Sequence, residues 1–372
     1  MIQLKTPYYI VYEEKLRSNL ELITHVMKEA DVEIIMAFKA NALWKTFPIF
    51  REYGIRSTAS SINEMLLAND ELHCKAHTYC PAYTEETIEK FVAGSSHITF
   101  NSVDQFLRFK DEAKSVSCGL RINPMCSVID TDIYNPCCPG SRFGVTEGEL
   151  TELPEGIEGF HFHALCESTS YDLEKVLQAV EEQFGQYLPH LKWLNMGGGH
   201  LMTRKDYDVK HLIGLLKKFK AKYPNLQVIL EPGSAFCWQT GDLEATVVDV
   251  VENSGIKTAI VDVSFACHMP DCLEMPYQPK VTQALDEVDE TKPTYRIGGN
   301  SCLSGDFVGD WSFDHEIQRG EHLTFEDMNH YTTVKTNMFN GIQHPSIVLQ
   351  KMDGSIEILR EFTYEDYKNR MS

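Results

Sequence analysis

The chain lacks any long apolar run and has few basic residues for its size. No stretch approaches the roughly 18 consecutive apolar residues that a membrane-spanning helix needs, and Met1–Pro7 shows no basic segment followed by an apolar core. The formal net charge of -20, from 34 basic and 54 acidic side chains, argues against nucleic acid and anionic membrane surfaces as partners. We therefore expect a cytoplasmic protein. Its acidity would attract a cationic substrate, although it would also serve solubility alone.

The cysteines lack the spacing of a disulfide framework or of a zinc site. There are 11 of them, an odd number at irregular positions, and no Cys-x-x-Cys pair occurs. This usage is typical of reduced thiols in an intracellular protein. We expect no structural metal.

Short apolar runs alternate with amphipathic segments over the first two thirds of the chain. Eight such runs fall within about 225 residues, and most are followed by a predicted helix. This alternation is typical of a (β/α)8 barrel rather than of an open Rossmann sheet. We predict a barrel domain over residues 13–238. The predicted strands are 34–39, 55–59, 77–79, 98–101, 118–122, 159–164, 193–196 and 227–230.

The pattern changes after Gly241, where predicted strands follow one another without intervening helices. We predict a second, β-rich domain over residues 239–372, a small barrel or sandwich, joined by the N-terminal strand within residues 1–12. The predicted strands are 243–251, 258–265, 295–297, 322–325 and a hairpin over 346–361 that turns at Asp353-Gly354.

Lys39 ends the apolar run that begins at Ile34, so it lies where parallel α/β folds place their chemistry. Desolvation disfavours the charged form of an amine in such a position, and a neutral amine can attack a carbonyl to form a Schiff base. A lysine at a strand end is also often a solvated cap. The rest of the predicted barrel mouth decides between the two.

Two further groups lie at the carboxyl ends of predicted strands. Gly197-Gly198-Gly199 follows the seventh strand, where barrels often bind phosphate through backbone N–H groups, although the triplet could be a plain tight turn. Glu231 ends the eighth strand, and a buried acid needs a cationic partner. A protonated pyridine nitrogen would be such a partner, and the acid would keep that ring charged as an electron sink.

His161 and His163 flank Phe162 on the sixth predicted strand, so their imidazoles point to the same side. The pair could bind a metal ion. Alternatively, His163 could lie against a flat cofactor ring, or both could be hydrogen-bonded interior residues.

Several motifs occur along the chain in the order in which one family carries them. The chain resembles the fold-type III pyridoxal-phosphate decarboxylases, the group of ornithine and diaminopimelate decarboxylases, over nearly its whole length. Within that group it is most similar to the carboxynorspermidine/carboxyspermidine decarboxylase branch. The motifs are Ala37-Phe38-Lys39-Ala40-Asn41, Tyr134-Asn135-Pro136-Cys137, Ser141-Arg142-Phe143-Gly144, Phe160-His161-Phe162-His163, Met196-Gly197-Gly198-Gly199, Glu231-Pro232-Gly233, His268-Met269-Pro270-Asp271, Gly299-Asn300-Ser301-Cys302 through Asp306, and Tyr331-Thr332.

The resemblance implies a role for each matching residue. Lys39 would hold pyridoxal phosphate covalently, with His163 stacked on the ring and Glu231 paired with its nitrogen. The phosphate would be held by Gly198, Gly199 and Tyr331. Cys302, with Asp306 near it, would reach the site from the partner subunit of a homodimer, and Cys302 or Lys39 would protonate the product. Arg121 and Arg142 match family arginines in the barrel mouth, and Arg142, Ser234 and Asp306 would lie in the substrate-binding part of the site.

The resemblance also implies the reaction, which is loss of CO2 from carboxynorspermidine or carboxyspermidine in polyamine biosynthesis. Ser234 stands where the family usually has an arginine or an acid, and Leu303 replaces the aspartate that reads the distal amine in ornithine decarboxylases. Asp271, or else Glu167, would therefore read that amine. The alternatives are a diaminopimelate or ornithine decarboxylase, a metal-dependent barrel hydrolase that uses the two histidines, and a non-catalytic carrier of pyridoxal phosphate.

Overall fold

A computed structural model of the chain describes residues 4–129 and 135–372. It divides into two compact units: a β-rich unit of Met1–Ser18 with Cys237–Ser372, and a barrel unit of Asn19–Phe236. We keep the boundaries predicted from the sequence, 13–238 and 239–372, as a proposal beside this division. Within the described residues, no helix is both long and apolar enough to cross a membrane.

The barrel unit is built on a parallel sheet of nine short strands. The strands pair in the order β2-β10-β9-β8-β7-β6-β5-β4-β3, in which neighbours in the sheet are mostly neighbours along the chain. This is the order of a barrel wound in one direction. After β1 (Tyr8–Tyr12), which belongs to the β-rich unit, the strands are β2 (Glu33–Ile34), β3 (Met36–Ala37), β4 (Ser57–Ala59), β5 (Ala76–Tyr79), β6 (Ser95–Phe100), β7 (Ser117–Arg121), β8 (Ile157–His161), β9 (Trp193–Asn195) and β10 (Gln227–Leu230).

β2 and β3 form the seam that closes the barrel. The sequence predicts one strand here, but the chain changes neighbours at Ile35, whose N–H donates to Leu230 O at 2.9 Å, while the next N–H donates to Arg56 O at 2.8 Å. As a result β2 pairs with β10 and β3 pairs with β4. The predicted fold class, a barrel with a β-rich second domain, is confirmed.

Helices follow most strands of the barrel and begin at residues that cap their free N–H groups. The side chains that accept a hydrogen bond from the first turn of a helix are those of Ser61, Ser102, Thr169 and Asp208. The helices are α1 (Glu13–Ala30), α2 (Phe47–Glu52), α3 (Ile62–Asp70), α4 (Ile88–Gly94), α5 (Val103–Phe109), α6 (Ser170–Phe184), α7 (Val209–Lys222) and α8 (Ser234–Cys237). Short 3-10 helices lie at Trp44–Thr46, Glu112–Ser115, Glu147–Glu149 and Leu188–His190.

Trp193 packs across the interior of the barrel. A Cβ on Gly159 would lie 2.0 Å from its indole, and a Cβ on Gly119 would lie 2.1 Å from it. The indole N–H donates to Ser117 Oγ at 2.9 Å. Gly119 on β7 and Gly159 on β8 thus leave the space that the Trp193 indole occupies.

The β-rich unit contains an eight-stranded sheet in which β1 lies between β11 and β16, antiparallel to β11 and parallel to β16. Two short helices, α9 and α10, interrupt the region in which the sequence predicts strands alone, and β14 is a strand that it did not predict. The elements are β11 (Gly241–Asn253), β12 (Ile256–Val261), α9 (Phe265–His268), α10 (Asp271–Glu274), β13 (Thr294–Gly298), β14 (Phe307–Ser312), β15 (His322–Phe325), β16 (Ser346–Gln350), β17 (Ile356–Arg360), α11 (Tyr364–Met371) and a 3-10 helix at Phe339–Gly341.

Candidate active site

Lys39 lies in the turn that follows β3, at the carboxyl ends of the barrel strands. Its side chain remains accessible, yet the surrounding protein displaces much of the water around the amine, and this desolvation lowers the pKa of Lys39. The carboxylate of Glu231 opposes that shift, and the guanidinium of Arg121 adds to it. The site therefore holds an amine that loses its proton more readily than a surface lysine, as a nucleophile must.

Glu231 follows β10, and both of its oxygens are hydrogen-bonded. His161 Nε2 lies 3.0 Å from Oε1, and Asn195 Nδ2 donates to Oε2 at 2.9 Å. Burial raises the pKa of this carboxyl, but the His161 interaction, the Asn195 bond and the charge of Lys39 outweigh it and lower the pKa to about 2. Glu231 is therefore a carboxylate at neutral pH.

His161 supplies its bond to Glu231 as a neutral imidazole. Desolvation lowers the pKa of His161 more than the carboxylate raises it, so Nε2 carries the proton and donates it. The other ring nitrogen, Nδ1, is buried and has no hydrogen-bond partner. Among residues 4–129 and 135–372, no group of three His, Cys, Asp or Glu side chains is arranged to hold a metal ion. His161 thus serves the carboxylate of Glu231.

His163 lies just beyond the end of β8, in irregular backbone where the sequence predicts strand. Its Nδ1 accepts the Gly198 N–H at 3.1 Å. Desolvation, together with the charges of Lys39 and Arg121, places the pKa of His163 well below its ordinary value. The ring is therefore neutral, with its proton on Nε2, and it is held by the glycine turn.

The Gly197–Gly199 turn follows β9 and can be built only from glycine. A Cβ on Gly197 would lie 2.2 Å from Phe162 O, one on Gly198 would lie 2.7 Å from Glu231 O, and one on Gly199 would lie 2.3 Å from the Leu165 backbone. Gly197 and Gly199 also have φ of +70° and +87°, which other residues rarely adopt. The turn brings backbone N–H groups close to the barrel mouth without side chains in the way.

The predicted site residues in the β-rich unit lie on segments that hydrogen bonds connect. Asp306 is buried, its Oδ1 accepts the Ala266 N–H at 2.9 Å, and its Oδ2 accepts from Ser301 Oγ at 2.6 Å. Cys302 is exposed, and its backbone N–H donates to Asn340 Oδ1 at 2.8 Å. Asp306 is therefore bonded to Ala266 and to Ser301, the neighbour of Cys302, and its contact with a substrate stays a prediction.

Asp271 begins α10 and is already paired with a cation. Its Oδ1 lies 2.5 Å from Lys335 Nζ, and the same ammonium also pairs with Glu274. Lys335 belongs to the turn that carries Tyr331, because its N–H donates to Thr332 O at 2.8 Å. The carboxylates of Asp271 and Glu274 and the ammonium of Lys335 together carry a net charge of -1. A cationic group of a substrate could bind to this charge.

The remaining predicted residues lie near the carboxyl ends of barrel strands. Ser234 is half-buried at the first position of α8. Glu167 is exposed after β8, with a φ of +45°, and its carbonyl accepts from Arg204 at 3.1 Å. Arg142 is exposed with its guanidinium 4.2 Å from the Phe143 ring. Tyr134, from one of the sequence motifs, lies outside the described residues.

Asn195 is a site residue that the sequence analysis missed, and so is the support that His161 gives to Glu231. Asn195 is the last residue of β9 and also accepts the Gly197 N–H at 2.9 Å, so it joins the glycine turn to the carboxylate. Its place at the carboxyl end of a barrel strand, two residues before the first glycine, was the signal that could have identified it.

A parallel barrel with a strand-end lysine, a glycine turn and a hydrogen-bonded carboxylate at one mouth defines an enzyme that binds pyridoxal phosphate. A family model described as "Pyridoxal-dependent decarboxylase, C-terminal sheet domain" matches residues 11–329. The chain belongs to the pyridoxal-dependent decarboxylase family.

The chain is similar to named members of the family along almost its entire length. It is 46% identical to the carboxyaminopropylagmatine decarboxylase of Synechocystis, over 99% of this chain and 96% of that protein. It is 40% identical to the carboxynorspermidine/carboxyspermidine decarboxylase of Campylobacter jejuni, over 99% of each. The crystal structure of the Campylobacter jejuni carboxynorspermidine decarboxylase with norspermidine superposes with a TM-score of 0.91, at 39% identity, over 99% of this chain and 100% of that one.

The residues of the barrel unit fit pyridoxal phosphate. The ionised Glu231 matches a protonated ring nitrogen, Lys39 provides an amine with a lowered pKa, and the glycine turn brings its backbone to the barrel mouth with no side chains of its own in the way of a phosphate. The predictions of this cofactor and of a decarboxylase are confirmed by the family.

Proposed function

We propose that the chain removes CO2 from a carboxylated polyamine, carboxynorspermidine or carboxyspermidine, and so produces norspermidine or spermidine. The observation that carries this proposal is the similarity to the Campylobacter jejuni enzyme, whose crystal structure contains norspermidine. The net charge of -20 and the acidic pair at Asp271 and Glu274 support a substrate with several cationic amines.

The Synechocystis relative favours a second candidate substrate, carboxyaminopropylagmatine. All these molecules carry a carboxylated aminopropyl group, so the same chemistry would act on each of them. They differ at the far end, which is an ammonium in the first two and a guanidinium in the third. Norspermidine and spermidine differ by a single methylene, which a pocket distinguishes by only about 1–3 kcal/mol. The ammonium and the guanidinium differ far more in shape and hydrogen bonding.

In this proposal Lys39 would hold the cofactor, Glu231 would pair with its ring nitrogen, and His163 would stack on its ring. Gly198, Gly199 and Tyr331 would together hold the phosphate. Bound pyridoxal phosphate supplies an electron sink for the pair of electrons that departing CO2 leaves behind.

The remaining site residues act on the substrate and the product. Asp271 reads the distal cation, and Ser234, Glu167 and Arg142 border the substrate. After CO2 has left, a proton must reach the α-carbon, and the thiol of Cys302 or the amine of Lys39 delivers it.

The active enzyme in this proposal is a cytoplasmic homodimer with shared sites. Cys302 is exposed, and its loop is fixed by two hydrogen bonds. Asp306 accepts one from Ser301, and Asn340 accepts the other from the Cys302 N–H. A thiol presented in this way on the surface of one subunit suits completion of a site in the other.

Release of CO2 from carboxyspermidine, carboxynorspermidine, carboxyaminopropylagmatine, diaminopimelate and ornithine, measured side by side, tests the proposal. We expect the highest kcat/KM with one of the first two. A clear preference for carboxyaminopropylagmatine would select the second candidate, and activity with diaminopimelate or ornithine alone would refute both. Reduction with borohydride followed by peptide mapping should place the cofactor on Lys39, and an adduct on another lysine would exclude the proposed site.

A further inference from the structure

We propose that Asn101 is a positioning residue that holds residues 142–144, here called the connecting segment, against the barrel mouth and thereby fixes the guanidinium of Arg121 at the end of β7. We call this arrangement the Asn101 latch, and it consists of Asn101, Tyr79, Arg121 and residues 142–144. The inference rests on the proposed placement of the active site at the barrel mouth. It assigns a task to a residue that neither contacts the glycine turn nor belongs to the family motifs named above.

Asn101 uses both ends of its side-chain amide to join the connecting segment to the barrel. Its Oδ1 accepts the Tyr79 O–H at 2.8 Å and the Gly144 N–H at 2.9 Å, and its Nδ2 donates to Arg142 O at 2.8 Å. Tyr79 ends β5, and Asn101 follows β6 directly. One side chain therefore ties two barrel strands to the end of the segment that follows β7.

The latch encloses Arg121, the last residue of β7. Its guanidinium carbon lies 4.6 Å from the centre of the Tyr79 ring and 4.5 Å from the centre of the Phe143 ring, so aromatic faces cover it on two sides. The residue is only 4% exposed. Both rings belong to groups that Asn101 holds, since Phe143 stands between Arg142 and Gly144.

Arg121 is a buried cation whose charge the described barrel residues do not neutralise with an ion pair. Its polar contacts are the Tyr79 hydroxyl and the carbonyl of His163, at 3.5 Å. A guanidinium has five N–H donors in a fixed plane, so several of them are left for an anionic oxygen of a bound molecule. The direction in which they point depends on the two rings, and thus on Asn101.

Tyr79 also connects the latch to the carboxylate of the site. The centres of the Tyr79 and His161 rings are 5.4 Å apart, and His161 donates to Glu231. A displaced Tyr79 would therefore leave the Arg121 guanidinium less well fixed. It would also loosen the His161 ring, which supports the carboxylate of Glu231. A misplacement of about 1 Å in such a site can cost about 100-fold in rate.

A second contact holds the same segment without Tyr79. Asn123 Nδ2 donates to Phe143 O at 3.1 Å, and Val145 N–H donates to Arg121 O at 2.9 Å. The segment should therefore stay folded in an Asn101 variant, although it becomes less well fixed. This redundancy allows the positioning role to be measured without unfolding the protein.

The test compares Asn101→Ala with Ser102→Ala in the holoenzyme. Ser102 is the next residue and caps α5 by accepting the Gln105 N–H at 3.1 Å, so its loss lowers stability without removing any hydrogen bond of the Asn101 side chain. We expect Asn101→Ala to lower kcat/KM by about 10- to 100-fold and to speed hydrogen exchange in the peptide that contains Gly144. Ser102→Ala should lower the melting temperature. Its kcat/KM and its rate of hydrogen exchange in the Gly144 peptide should stay near those of the wild type.

Two further variants separate the parts of the latch. Asn101→Asp keeps the acceptor for Tyr79 and Gly144 but loses the donor to Arg142 O, so kcat/KM should fall less than in Asn101→Ala. Tyr79→Phe keeps the ring beside Arg121 but removes the O–H bond to Asn101, so kcat/KM should fall while exchange at Gly144 stays slow.

Equal kcat/KM in Asn101→Ala and Ser102→Ala, or unchanged exchange at Gly144 in Asn101→Ala, would overturn the proposal. The exchange measurement needs no substrate, so its result stands even if the proposed substrate is wrong. Conversely, an active Lys39→Ala enzyme would refute the proposed site and not only the latch.

Discussion

His161 donates its Nε2–H to Oε1 of Glu231 at 3.0 Å, and the two residues come from β8 and the end of β10. The bond joins a neutral imidazole to a carboxylate whose pKa is about 2. Because burial alone would raise that pKa, the charge on Glu231 depends on its neighbours. Whether the carboxylate can hold a proton on a ring nitrogen is thus decided partly by His161.

Replacing His161 with Leu should raise the pKa of Glu231. Burial raises this pKa, and the variant lacks the imidazole that lowers it. The acid limb of the pH profile of kcat/KM should therefore move to higher pH. His161→Gln, which keeps an N–H donor, should move it less. An acid limb at the same pH in both variants and in the wild type would contradict this role of His161.

The same bond should influence acid unfolding. A carboxyl whose folded pKa is about 2 and whose ordinary value is 4.5 stabilises the folded state above pH 4.5, and that stabilisation is lost as the pH falls towards 2. In His161→Leu this stabilisation is smaller, because the folded pKa of Glu231 is raised. We expect the pH of half-unfolding, followed by circular dichroism, to be higher in His161→Leu than in His161→Gln.

Gly197→Ala should destabilise the barrel, because the new Cβ would lie 2.2 Å from Phe162 O at a φ of +70°. We expect a loss of about 1–3 kcal/mol in the free energy of unfolding. Gly214→Ala is the matched control, since it lies within α7 and nothing is within 4 Å of its Cβ. Alanine there should be neutral or stabilising by up to about 1 kcal/mol. Urea unfolding of both variants measures the difference, and equal stabilities would show that the turn can adapt.

Asp271→Asn should lower kcat/KM for a polyamine substrate while leaving the cofactor bound. A charge-assisted hydrogen bond contributes about 1.5–3 kcal/mol, so the loss should be about 10- to 100-fold. Lys335→Met should lower KM for the same substrate, because it removes the ammonium that already pairs with Asp271. Cofactor absorbance provides the control. If kcat/KM is unchanged in Asp271→Asn, Asp271 does not read the substrate, and Glu167→Gln becomes the next variant to measure.

Mixed dimers should recover activity from two inactive parents. When Lys39→Ala and Cys302→Ala proteins exchange subunits at random, half of the dimers are mixed and each mixed dimer contains one intact site. Activity should therefore return to about a quarter of the wild-type value. Subunit exchange must be confirmed independently, for example with one parent carrying an affinity tag. Inactive heterodimers, or a fully active monomer, would place Cys302 in its own chain or outside the chemistry.

The barrel could be predicted from the sequence because each strand is a short apolar run that ends in a polar residue. The same rule identified Lys39, the glycine turn and Glu231 at one mouth. It did not reveal that the first strand changes neighbours at Ile35, because the sequence there is uniformly apolar. Nor did it indicate what His161 does, since a paired histidine and a metal ligand have the same pattern.

The β-rich unit was less predictable. α9 and α10 are only four residues long each, too short for a helical period to appear in the sequence. The strand β14 carries Gly309 and Asp310 in its middle, and both residues are uncommon in strands. The partner of Asp271 is Lys335, 64 positions away, and no local pattern predicts such a pairing.

The split strand at Glu33–Ala37 also determines when the protein can become an enzyme. β2 pairs with β10, roughly 200 residues later in the chain, and contacts between such distant segments form late and slow folding. During synthesis the segment before Lys39 can pair with β4 early, but its other neighbour does not yet exist. Lys39 therefore comes to lie beside Glu231 only when the barrel has been translated to its last strand, so a truncated chain would carry the lysine without its site.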